Sequence, residues 1–183
     1  MASILKVDAV QTTAGKPIVN STGSVLQVKQ SVFLGTFTTA STSFTNIVDG
    51  SSNIFQVLIT PTAVTSKILV IVNCSIAGGD AGSGITLVRD STEIFRGAAD
   101  GSKNRFSQTG LYGIDESQYS QGANCIVFLD DPDSTSELTY KVQAKIRATT
   151  LYIGRTVFDT DNDNASRHPS SITVMEIAEW QIL

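Results

Sequence analysis

Tyr140-Lys141-Val142-Gln143-Ala144-Lys145-Ile146-Arg147 alternates strictly between apolar and polar residues. Successive side chains of a strand point to opposite faces, so Tyr140, Val142, Ala144 and Ile146 line one face and Lys141, Gln143, Lys145 and Arg147 the other. The pattern is that of a half-buried strand with one wet face. Lys67-Ile68-Leu69-Val70-Ile71-Val72-Asn73-Cys74-Ser75-Ile76 breaks it. Ile68, Val70, Val72, Cys74 and Ile76 fill one face, yet Leu69 and Ile71 put apolar groups on the other. Asn124-Cys125-Ile126-Val127-Phe128-Leu129 behaves in the same way. An antiparallel sandwich commonly leaves its outer face to water, so strands that are apolar on both sides need a second cover. In a chain without helices to supply it, the cover is another subunit. Leu69, Ile71, Ile126 and Phe128 are the expected subunit-contact residues.

Outward from these segments, strand-like runs recur at 32–38, 54–60, 67–76, 85–89, 93–96, 105–111, 123–129, 138–147, 151–157 and 171–177. They are separated by Asp49-Gly50, Asp90-Ser91, Asp100-Gly101, Asp130-Asp131-Pro132-Asp133 and Asp161-Asn162-Asp163-Asn164, among others. Gly, Asn and Asp accept positive φ or close Asx turns, so these breaks have a mechanism. Many short strands at this spacing indicate a sandwich or barrel. No apolar run of helical period and no repeat of solenoid length is present. Charged residues make up 16% of the chain, against about 25% in a typical soluble protein. Val and Ile are frequent, whereas Leu, Glu and Lys are sparse, a composition that favours strands. It excludes a helix bundle, a coiled coil and a doubly wound α/β fold. The expectation is an all-β antiparallel sandwich.

The 183 residues suffice for one domain, or one domain with an arm. Residues 31–183 are the expected head. Residues 1–30 hold only short strand-like pieces, interrupted at Gly15-Lys16-Pro17 and Thr22-Gly23, too short to close a core. Such an arm docks on another chain or winds around copies of itself. Ile4, Leu5, Val7 and Val10 are its expected attachment residues, since an isolated strand-prone terminus readily pairs with a foreign sheet edge.

A net charge of −4 and a pI near 4.9 leave no broad basic surface, so no nucleic-acid partner is expected. A hydrophobic content of 41% is too high for a disordered chain. The run Ile68-Leu69-Val70-Ile71-Val72 is far short of the roughly 20 residues of a membrane helix, and no membrane insertion is expected. Met1-Ala2-Ser3-Ile4-Leu5-Lys6 has neither the basic start nor the apolar stretch of a secretory signal, so synthesis and folding in a cytoplasm are expected. Cys74 and Cys125 lack metal-site spacing and are expected as small buried core residues.

His168 is the chain's single histidine, too few for a zinc site. It stands in Ser166-Arg167-His168-Pro169 with no G-x-S-x-G elbow, as a loop residue rather than a catalytic base. Asp159-Thr160-Asp161-Asn162-Asp163-Asn164 starts like a calcium loop, but the sixth position is Asn164 and the twelfth Ser170 where an EF-hand needs Gly and Glu. A turn accounts for it better, with a looser calcium site as the alternative. Adjacent acids such as Asp130-Asp131 and Asp115-Glu116 point to opposite faces and do not make a glycosidase pair. The Gly-rich stretches 78–84 and 97–101 lack the Lys-Ser/Thr of a phosphate loop. Phe106, Tyr112 and Tyr119 lie near these loops, as core aromatics or as a platform for a sugar ring. No catalytic, cofactor-binding or metal-binding residue is assigned, no cofactor is expected, and the chain is not expected to be an enzyme.

Three ordered sets of residues carry a resemblance. The first is Ile59-Thr60-Pro61, Thr65-Ser66-Lys67-Ile68-Leu69-Val70 and Val88-Arg89-Asp90-Ser91-Thr92-Glu93-Ile94. The second is Phe128-Leu129-Asp130-Asp131-Pro132-Asp133 leading to Leu138-Thr139-Tyr140-Lys141-Val142-Gln143. The third is Tyr152-Ile153-Gly154-Arg155 with Ser170-Ser171-Ile172-Thr173-Val174-Met175-Glu176-Ile177. Together with the opening Ala2-Ser3-Ile4-Leu5-Lys6-Val7-Asp8, the chain resembles virion proteins of marine and cyanobacterial phages, usually described as tail fibre or virion structural proteins. The resemblance implies a C1q/TNF-like jelly-roll head assembled as a homotrimer. It implies a virion location after assembly in the host bacterial cytoplasm, and other virion proteins of tail, baseplate or capsid as partners. The implied role is a tail-associated fibre or spike whose head binds a host-surface glycan or protein; the alternative is a trimeric capsid decoration protein. The ending Ala178-Glu179-Trp180-Gln181-Ile182-Leu183 runs past the family pattern.

Overall fold

The computed structural model describes residues 23–78, 82–109 and 119–179. In chain order the strands are β1 (Val25–Phe33), β2 (Phe37–Thr39), β3 (Thr45–Asn46), β4 (Gln56–Ile59), β5 (Lys67–Gly78), β6 (Gly84–Arg89), β7 (Thr92–Ile94), β8 (Gln108–Thr109), β9 (Gly122–Asp130), β10 (Leu138–Lys145), β11 (Leu151–Ile153) and β12 (Ser170–Ile177). Every pairing among the described residues is antiparallel. β5 is the axis of the first sheet. One of its edges carries β9, and the other is shared end to end by β12 and β11, with β1 beyond β12 and β2 beyond β11. β10 and β6 form the centre of the second sheet, flanked by β4 and β3 on one side and by β7 and β8 on the other. The chain passes from β5 to β6 and from β9 to β10 between the sheets, while its first and last described strands pair. This is a jelly-roll sandwich, and no helix occurs among the described residues.

The core lies between the sheets and follows the strand period. Ile68, Val70, Val72, Cys74 and Ile76 of β5 meet Tyr140, Val142 and Ala144 of β10, all fully buried. A buried Ile or Val contributes roughly 1.5–3 kcal/mol relative to an exposed one. A charged tie crosses the core: Asp130 of β9 accepts hydrogen bonds from Tyr140 Oη at 2.6 Å and Arg89 Nη1 at 2.7 Å. A buried carboxylate is tolerable only when paired and hydrogen-bonded in this way. Burial and the bond to Asp130 push the Tyr140 phenol upward, so it stays protonated and donates.

Several boundaries differ from the sequence expectation. The single run 32–38 is two strands, broken at Leu34-Gly35-Thr36, so that β2 leaves β12's neighbourhood and pairs with β11. The run 151–157 ends at Ile153, because Gly154 has φ +75° and a Cβ there would collide with the Gly35 carbonyl. Only Gln108 and Thr109 of the run 105–111 form a strand among the described residues. β3 had no period to reveal it. β1 starts at Val25, so the expected boundary between arm and head at 30/31 falls inside a strand of the sandwich. Pairing extends further, with Gly23 N donating to Ala178 O at 2.8 Å. Cys74 is buried, its thiol pushed up to about 12 by desolvation. Cys125 is exposed, against expectation.

Candidate functional site: the outer face of the first sheet

The pairing registers place side chains on the face of the first sheet turned away from the core. One row across β1, β12, β5 and β9 reads Val28, Met175, Leu69, Leu129. The next reads Gln30, Thr173, Ile71, Val127, and the third Val32, Ser171, Asn73, Cys125. Val28, Val127 and Leu129 are 52%, 56% and 54% exposed, and Leu69, Ile71 and Met175 are half-buried by their neighbours. The apolar surface is therefore continuous over four strands. At one end Lys67 closes it, paired with Asp131 at 2.5 Å and Glu179 at 3.2 Å. Towards the other end it gives way to Ser171 and Asn73.

Leu69 and Ile71 stand on this face, as the sequence indicated. Ile126 and Phe128 do not, which is a correction. Ile126 is 1% exposed in the core. Phe128 packs against that core and stacks on Phe95 with ring centroids 4.8 Å apart. The parity of β9 is set by Asp130, which must point inward to meet Arg89 and Tyr140, so 126 and 128 point inward with it. The outward residues are Cys125, Val127 and Leu129. Met175 and Val28 were also missed. In β12 an acid, Glu176, is buried and an apolar residue, Met175, faces out, which inverts the usual cue. Ile4, Leu5, Val7 and Val10 lie outside the described residues.

The other candidates resolve into local contacts. Asp159 is held by Arg155 at 2.7 Å and by Arg167, and the hydrogen bonds of both hold its carboxyl below the usual range. Asn162 Oδ1 accepts from Asn164 N at 3.0 Å and Ala165 N at 3.2 Å, closing an Asx-type turn. Among the described residues no cluster of His, Cys, Asp and Glu is arranged to hold a metal. His168 is exposed, with Nε2 3.2 Å from Ser166 Oγ.

No protein-family model and no curated protein matches the sequence. Among solved structures, a chain in the structure of infectious bursal disease virus, Gx strain, is similar over 85% of this chain and 39% of its own length, with 10% identity and a TM-score of 0.34.

Proposed function

We propose that the chain is a structural subunit of a bacteriophage virion, a homotrimeric tail-associated fibre or spike whose head is a C1q/TNF-like jelly roll. The supporting observation is the apolar outer face of the first sheet, where Val28, Leu69, Ile71, Val127, Leu129 and Met175 adjoin in register. A contiguous apolar surface marks an interaction site. The three-fold number and the virion setting come from the ordered sequence resemblance. Copies of the chain cover one another through this face, and other virion proteins bind elsewhere on the assembly.

Sedimentation of the wild-type protein at micromolar concentration tests the reading. Three chains are expected. Leu69→Asp and Val127→Asp each place a charge at the contact and weaken assembly by about a hundredfold or more, the cost of burying an unpaired charge. Ile126→Asp instead prevents folding, because its side chain is in the core. A wild-type monomer would rule the trimer out. Antibody labelling of particles separates tail from capsid, and label over the capsid surface replaces the fibre with a decoration role.

A further inference from the structure

The second sheet carries a different surface on its own outer side. Lys141, Gln143 and Lys145 of β10 point there, opposite to the buried Tyr140, Val142 and Ala144. The connection between β7 and β8 folds back over this face. Gly84 permits it: a Cβ there would stand 2.7 Å from Phe106 Cγ, so the ring lies directly on the β6 backbone. Phe106 meets Phe44 edge-on, centroids 5.8 Å apart. The Arg96 guanidinium and the Lys145 ammonium both sit 5.6 Å from the centre of the Phe44 ring. Arg105 joins them, its carbonyl accepting from Arg96 Nη2 at 3.2 Å and its Nε donating to the Gly97 carbonyl at 2.6 Å.

Positive charge is in excess here. The neighbouring carboxylates are engaged: Glu93 by Arg96 and Asp100 by Lys103. Among the described residues, Arg105, Lys141 and Lys145 have no carboxylate partner; Lys145 donates to the neutral Asn104 Oδ1 at 2.9 Å. Arg96 is itself held below its ordinary pKa by burial and by the charge of Arg105. The chain as a whole is acidic, at −4, so this concentration of cations runs against its overall field. Phe44 and Phe106 are half-buried, offering an apolar platform between the charges.

We propose that the outer face of the second sheet, built on Phe44, Arg96, Arg105, Phe106, Lys141 and Lys145, binds an acidic, uronic-acid-bearing polysaccharide. Carboxylates of the polymer pair with Arg105, Lys141 and Lys145, and the C–H face of a sugar ring packs on the aromatic pair. Charge spacing favours this polymer over duplex DNA, and a single-stranded oligonucleotide in the test below covers the remaining nucleic acid. Lys141 and Lys145 lie four residues apart on one strand, about 13 Å. Duplex DNA presents one charge per roughly 1.7 Å, and a protein of net negative charge is repelled by so dense a polyanion. A uronic-acid chain carries at most one charge per sugar. The inference rests on the fibre or spike reading proposed above and deepens it by naming a target class for its head. The patch lies on the opposite sheet from the apolar face, so assembly through that face leaves it in water and gives each particle several copies of it.

The test uses the full-length protein with polygalacturonate, uncharged dextran and a single-stranded DNA oligonucleotide as probes. Wild type is expected to bind polygalacturonate, more weakly as salt rises, and to ignore dextran. The double variant Arg105→Gln/Lys145→Gln should lose about tenfold or more in affinity, since each charge-assisted contact contributes on the order of one decade. Lys29→Gln, on the distant edge strand β1, should bind as wild type does. Both replaced side chains of the double variant are at the surface, and a thermal melt of the same sample confirms its fold. Absence of polygalacturonate binding by wild type, equal binding by the double variant, or DNA binding as tight as polygalacturonate binding would each overturn the proposal. Sedimentation of the same samples reads assembly separately: a trimer that does not bind removes the polysaccharide face alone, and a monomer that binds removes the trimer alone.

Discussion

The Glu176 carboxylate, fully buried on the inner side of β12, joins three segments distant in sequence. Its Oε1 accepts from Thr62 N and Thr62 Oγ1, each at 2.7 Å, and from Ser66 Oγ at 2.6 Å. Its Oε2 accepts from Gln27 Nε2 at 2.6 Å, so β1, the β4–β5 connection and β12 meet at one group. Burial raises its pKa, but the hydrogen bonds from Ser66, Gln27 and Thr62 outweigh burial and hold it below the ordinary 4.5. A group depressed in the folded state contributes stability that is fully present above its unfolded value and is lost as pH falls through the folded value. Acid should therefore weaken the wild type below about pH 4.5. Glu176→Gln turns an N–H towards donors and should cost about 1–3 kcal/mol at pH 7, with a flatter acid limb. Urea unfolding at pH 7 and pH 4 measures both. An unchanged acid limb in the variant would show that other carboxyls dominate.

At the scale of the element, β1 separates an arm from a sheet edge. It pairs with β12 from Val25 to Phe33, with a bulge between Val25 and Gln27, and its Gln27 is one of the Glu176 donors. Residues 23–179 contain every strand described. Deleting 1–22 should leave the melting temperature unchanged. Deleting 1–30 removes most of β1, strips Glu176 of a donor and bares the β12 edge, and should destabilise by about 3 kcal/mol or more and promote edge-to-edge aggregation. Circular dichroism melts and light scattering on the two truncations decide this. Loading onto particles gives the other half of the result. If Ile4, Leu5, Val7 and Val10 attach the chain, the 1–22 deletion folds but is not incorporated. Loading at the wild-type level would place the anchor elsewhere, with Trp180-Gln181-Ile182-Leu183 as the next segment to remove.

At the scale of the whole molecule, the two faces of the sandwich divide the surface into an apolar side and a cationic one, and a thiol reports on the first. Cys125 lies on the apolar face opposite Asn73, whereas Cys74 is sealed in the core. Assembly through that face should slow modification of Cys125 by a thiol reagent about tenfold or more, in proportion to the rarer open form. The Leu69→Asp monomer should react at the rate of an exposed thiol, and Cys74 should stay unreactive in both. Equal rates in wild type and variant would mean that Cys125 lies outside the contact. The fold class, the main turns, the inner residues of β5 and β10, and Leu69 and Ile71 on the open face are legible in the residues alone. These follow from the two-residue period of a strand and from Gly and Asp at breaks, which are local properties of the chain. The parity of β9, the recruitment of 25–30 into the sheet and the grouping of Phe44, Phe106 and Arg96 come from the folded arrangement. The reason in each case is a partner remote in sequence: Arg89 and Tyr140 fix Asp130, the free edge of β12 accepts β1, and Gly84 admits Phe106 onto a strand that its own loop leaves and rejoins.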